Sequence, residues 1–120
     1  MPNEPIRNHR DLIVWQTAMQ VRREVRKIVL AIPQQDRFEV GAQVTRAAWS
    51  IPCNIAEGHM RLDRRDYKQF LSFSRGSVGE LDTQLLALAE DHPHHEARIE
   101  TIITKLWEVS RMTTAIMIKL

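Results

Sequence analysis

The chain holds one cysteine, Cys53, among its 120 residues. No intrachain disulfide can form, so packing must supply the stability, and a reducing compartment is expected. No apolar run approaches the length of a membrane span, and the N-terminus has no signal-peptide core. These absences point to a cytoplasmic protein without a membrane partner. The sequence also lacks a glycine-rich phosphate loop, a paired-carboxylate signature and a metal-binding spacing. Neither an enzyme nor a cofactor or metal is therefore expected. Aromatic residues are only 6% of the chain, and no single-strand stacking platform is evident. Trp15, Trp49 and Trp107 read as packing anchors or subunit contacts. There are no internal repeats, low-complexity tracts or long linkers, and residues 1–7 read as a frayed arm. One domain around one core fits this length.

Helical periodicity is abundant. Asn8 is placed to cap a first helix, with Asp11 three residues on. Val14, Ala18, Val21, Val25, Ile28 and Ile32 then recur at 4,3 spacing up to Pro33, one apolar stripe of a helix. Asp36 and Glu39 form a second start signal ahead of Val40, Val44, Ala47, Ile51 and Ile55, and Gly58 is a natural stop. The proline ring of Pro52 would clash with the carbonyl of Ala48, predicting a kink. After Asp63 a third helix carries Leu71, Ser74, Val78, Leu81, Leu85 and Leu88. A second stripe of Ser72, Gly76, Gly79 and Thr83 implies close approach by a neighbour, because each glycine weakens a helix by about 1 kcal/mol. A fourth helix carries Ile99, Ile102, Leu106, Val109, Thr113, Ile116 and Leu120. The boundaries are about 9–32, 37–58, 64–91 and 95–119. Short links favour antiparallel neighbours, so the expected fold is an all-α, up-down-up-down four-helix bundle with a proline-kinked second helix.

Charge is unevenly spread. Residues 1–75 hold 13 Lys/Arg against 8 Asp/Glu, a surplus of five positive charges. Residues 76–120 hold 4 against 7, a deficit of three. Arg22, Arg23, Arg26 and Lys27 form two adjacent rows on the first helix. Arg61, Arg64, Arg65 and Lys68 cluster where the third begins, and Arg46 and Arg75 lie on the second and third. Such a face suits the phosphates of RNA or DNA, since affinity grows with each counterion released. The competing reading is an ordinary solvated surface.

Asn54 and Glu57 lie one helical turn apart, but no nucleophile or second carboxylate joins them. A structural role fits better: one of them satisfies backbone groups freed by Pro52, or pairs with Arg46 or Arg75. His92, His94 and His95 share a loop interrupted by Pro93 and read as solvated rather than metal-binding. Cys53, in an apolar stretch, reads as a small packed residue. Leu12, Trp15 and Met19, with Ile103, Trp107 and Met117, flank the core stripes. They imply a partner surface, most simply a second copy, unless the core face is wide.

Several strings carry a resemblance: Asp11-Leu12-Ile13-Val14-Trp15-Gln16, Arg46-Ala47-Ala48, Ser50-Ile51-Pro52-Cys53-Asn54-Ile55-Ala56-Glu57-Gly58, Phe70-Leu71, Arg75-Gly76-Ser77 and Glu80-Leu81-Asp82-Thr83-Gln84-Leu85. In this order the chain resembles the four-helix-bundle family encoded by intervening sequences in bacterial 23S rRNA genes. Cys53, where serine is frequent, and Gly79, where alanine is more usual, are departures that keep a small residue. The resemblance implies a ring-like homopentamer with a nucleic-acid role. The accessory protein of diversity-generating retroelements resembles the same architecture, which implies a second role: a scaffold for a protein such as a reverse transcriptase, with no nucleic-acid affinity of its own.

Overall fold

A computed structural model describes residues 5–120; residues 1–4 of the expected frayed arm lie outside the described residues. The described chain is all-helical, with four long helices and no strand. They are α1 (Ile13–Ala31), α2 (Ala42–Met60), α3 (Arg64–Asp91) and α4 (Glu96–Lys119). Both α1 and α3 pack against α2 and α4. With 28 residues, α3 spans roughly 42 Å at the usual rise, which accounts for the 43 Å long axis of the molecule.

The apolar stripes meet along that axis. Val14, Ala18, Val21, Val25 and Ile28 of α1 face Val44, Ala47, Ala48, Ile51 and Ile55 of α2, and all are buried. Leu71, Val78, Leu81, Leu85 and Leu88 complete the core from α3, with Ile99, Ile102, Leu106 and Val109 from α4. Each buried Leu or Ile contributes about 1.5–3 kcal/mol relative to exposure. The flanking residues divide. Leu12, Trp15, Ile103 and Met117 pack against the core, whereas Trp107 stays 44% exposed. The wide core face therefore absorbs most of the apolar surplus.

The helix starts differ from the sequence expectation. The Asn8–Asp11 capping box forms, but it closes a 3-10 turn, His9–Asp11, and not the first long helix. Leu12 is extended, and α1 begins only at Ile13. The first helix therefore does not run unbroken from residue 9. Asp36 makes no side-chain capping bond. Pro33 instead opens a short helical turn, Gln34–Asp36, followed by a π-helical turn, Arg37–Gly41. The wider turn rotates side chains relative to α2, so Val40 leaves the core stripe and is exposed. Arg37 anchors this link. Its Nε donates to the Ile32 carbonyl at 3.1 Å and its Nη2 to the Leu30 carbonyl at 2.6 Å. Those are orphan acceptors at the end of α1, where a cation is favoured by the helix dipole. On α3, Asp63 does cap, accepting from the N–H groups of Arg65 and Asp66.

Gly58 does not stop α2, which continues to Met60. Its role is spatial. A Cβ there would lie 2.8 Å from Phe70 Cβ, 3.0 Å from Tyr67 Cδ1 and 3.2 Å from the Tyr67 carbonyl. Further along the same seam, Ser74 Oγ donates to the Ile51 carbonyl at 3.1 Å. Gly76 and Gly79 show the opposite. Nothing lies within 4 Å of a Cβ built at either, so the small-residue stripe of α3 is not closely approached within the chain.

Gly58→Ala therefore forces α2 and α3 apart at a backbone contact. Overpacking of this kind costs about 1–3 kcal/mol, outweighing the gain of up to about 1 kcal/mol in helix propensity. Urea denaturation should show a lowered midpoint; an unchanged or raised midpoint contradicts the close-approach role.

Candidate nucleic-acid interface

The α1 cations separate into distinct places. Arg22 and Arg26 line a narrow cleft with Val25 of α1 and with Thr45, Ala48 and Trp49 of α2. The Arg22 guanidinium carbon lies 4.7 Å from the Trp49 ring centroid, a cation–π geometry. Arg23 is exposed between the two flanks of α1. Lys27 turns to Glu24 at 3.1 Å, and Glu24 lines the groove between α1 and α4 with Arg98 and Lys105. Lys27 is thus partly neutralised.

The second cluster sits at the α2–α3 turn. Arg64, Arg65 and Lys68 share an open concavity with Leu62, Asp63 and Leu120. Arg61 is held internally: it pairs with Glu57 at 3.2 Å and Asp66 at 3.8 Å, and its guanidinium lies 4.8 Å from the Phe70 ring centroid. Arg46 and Arg75 are exposed on α2 and α3. Trp49 and Arg61 are twelve residues apart, which places the two clusters roughly 18 Å apart along the helix axis.

The Asn54–Glu57 expectation changes in detail. Asn54 Nδ2 donates to the Ser50 carbonyl of its own helix at 2.8 Å. That acceptor is not the Ala48 carbonyl freed by the missing proline N–H. Glu57 is exposed and pairs with Arg61, not with Arg46 or Arg75. Position 61 is one turn further along the chain, and reaching it requires no second helix. Cys53 is exposed rather than packed, because it lies opposite Ile51 and Ile55 on the helix. Trp49, read as a packing anchor, is 46% exposed. Its signal in the sequence was its place off the Ala47–Ile51–Ile55 stripe.

A polar cluster went unread in the sequence. His59 and Tyr67 approach edge-to-face, with His59 Nδ1 and Tyr67 Oη at 3.4 Å. Burial, and secondarily the charge of His9, pushes the His59 pKa down; burial pushes Tyr67 up. At the other end His92 Nε2 lies 3.8 Å from Asp36, and the rings of His94 and His95 are 4.0 Å apart. Among the described residues no three His, Cys, Asp or Glu side chains are grouped to hold a metal ion, and no helix is long and apolar enough to cross a membrane.

These features define a helical bundle that presents on its outside cations with no ion-pair partner among the described residues. The model of the 23S rRNA-intervening sequence protein family matches residues 10–115. The chain belongs to that family, whose name assigns no activity. No curated protein matches the chain.

A histidine whose folded-state pKa is depressed stabilises the fold above its unfolded pKa, and that contribution is lost as pH falls through the folded value. His59, and His95, whose pKa burial also lowers, both act in this sense. The denaturation midpoint should fall as pH drops below about 6.5, and His59→Gln should flatten that slope. An unchanged slope would remove His59 from the account.

Proposed function

We propose that the chain is a non-enzymatic oligomeric adaptor that binds nucleic acid, chiefly RNA, through its basic face. One observation carries this. Arg22, Arg23, Arg26, Arg46, Arg64, Arg65, Lys68 and Arg75 have no salt-bridge partner among the described residues; only Lys27 and Arg61 of the ten named cations do. Unpaired surface cations are free to replace the counterions of a phosphate backbone. Membership of a family named for 23S rRNA intervening sequences accords with an RNA ligand.

The bundle runs up-down-up-down, and α2 bends at Pro52. Paired contacts support the alternation: Gly58 lies at Tyr67 and Phe70 while Ile51 lies at Ser74, and Trp49 lies at Arg22 while Gly41 lies at Val29. In each pair of helices one number rises as the other falls. The chain assembles as a homo-oligomer, a pentameric ring. The open face at Gly76 and Gly79 supports this, as do the half-exposed Phe73, Leu86 and Trp107. A ring multiplies weak phosphate contacts into avidity. The cytoplasm is its setting, in keeping with a lone, unpaired Cys53.

A second reading draws on the same apolar residues. Phe73, Leu86 and Trp107 would suit a ring-shaped scaffold for another protein, such as a reverse transcriptase, with no nucleic-acid affinity of its own.

Two experiments separate these. Changing Arg22, Arg26, Arg64 and Arg65 together to glutamate should weaken RNA binding on the order of 100-fold and reduce its salt dependence, with the helical signal intact. Unchanged binding would refute this placement; absence of binding in the parent chain would favour the scaffold. Gly76→Leu should lower the mass measured by light scattering while leaving the isolated bundle folded. An unchanged mass removes that face from the assembly.

A further inference from the structure

Trp49 is large and apolar yet 46% exposed, while its neighbour Ala48 is 1% exposed. No charge pair holds it outside. The Arg22 guanidinium covers the indole at 4.7 Å, and Arg22 has no hydrogen-bond or ion-pair partner among the described residues. Its Nε is shut away from solvent and unsatisfied. The cation is therefore held in place by the ring and not by a carboxylate. The cleft beside it holds about 20 Å³, room for one water and far too small for a base. Whatever this pair recognises must lie on the outer surface.

The surroundings are cationic. Arg26 follows Arg22 by one turn on α1, and Arg46 precedes Trp49 by one turn on α2; both are exposed. From Ala42 to Ala56, α2 carries no Asp or Glu. The one acidic residue of α1, Glu24, is engaged by Lys27 at 3.1 Å. The other outward tryptophan differs. Trp107 Nε1 donates to Asp82 at 3.1 Å, so a carboxylate stands where a phosphate would have to approach.

We propose that Trp49, braced by Arg22, is a base-stacking platform, and that the ligand of this face is single-stranded rather than duplex nucleic acid. The inference rests on the nucleic-acid reading above and specifies its substrate. A paired base inside a duplex has no free face to lay on an indole, whereas an unpaired base does. Arg26 and Arg46, both about one turn from the Arg22–Trp49 pair toward the Val29–Gly41 contact, supply cations for the adjoining phosphate. Stacking is tolerant of sequence, because every base has a π-face.

The test uses the full chain and one mixed-sequence oligonucleotide, as RNA and as DNA, each single-stranded and annealed to its complement, read by fluorescence anisotropy at fixed salt. Single strands should bind about tenfold tighter than their duplexes, the scale of one base–aromatic stack. Trp49→Ala should abolish that preference, lowering single-strand affinity by more than duplex affinity. Trp49→Phe should keep most of it. Equal binding of strand and duplex by the parent chain overturns the platform but leaves the nucleic-acid reading standing. Failure of the parent chain to bind any strand overturns both. A fall in light-scattering mass for Trp49→Ala with no change in strand preference assigns Trp49 to a subunit contact, and also overturns the platform.

Discussion

The seam between α2 and α3 is the constraint on which the rest of the molecule depends. At Gly58 the two backbones come so close that one methyl group cannot be added without displacement. Two turns earlier, the Ser74 hydroxyl reaches the Ile51 carbonyl, next to Pro52. Small residues and one buried hydroxyl thus lock the rotation of α2 about its axis. With Ile51 and Ile55 turned inward, Arg46, Trp49, Cys53 and Glu57 are left on the outside. The outward chemistry of α2 is a consequence of that packing.

Electrostatics then sorts the outer surface. Where a carboxylate lies one helical turn away, as Glu57 does from Arg61 and Glu24 from Lys27, the cation is satisfied locally. Such exposed pairs contribute little to stability, but they do remove charge from the face presented to a partner. Where the sequence offers no carboxylate, as along Ala42–Ala56, the cation Arg46 has no ion-pair partner among the described residues. The binding reading thus turns less on net charge, which is only +2, than on where the acidic residues are missing.

Much of the fold was legible in the chain, because a 3.6-residue period states which side of each helix is buried. The six residues spaced along α3 from Leu71 to Leu88 are all buried. Legibility failed at two kinds of place. Capping signals at Asn8 and Asp36 were present but closed or bordered short turns, because the chain entering each helix is shaped by its neighbours and by Arg37 bonding to the end of α1. Glycines were misassigned for the same reason: Gly58 looks like a stop and is a contact, whereas Gly76 and Gly79 look like contacts and are open. A glycine reports that a side chain is missing, not what occupies the space.

The sequence by itself determined the helical class, the core stripes, the family and the excess of positive charge in the first half, since each depends on local spacing or composition. Only the tertiary structure decided which cations are paired, that Arg22 of α1 rests on Trp49 of α2, and which glycine separates two backbones. Those facts join residues far apart in the chain. They depend on the rotation and separation of packed helices, which no local period encodes.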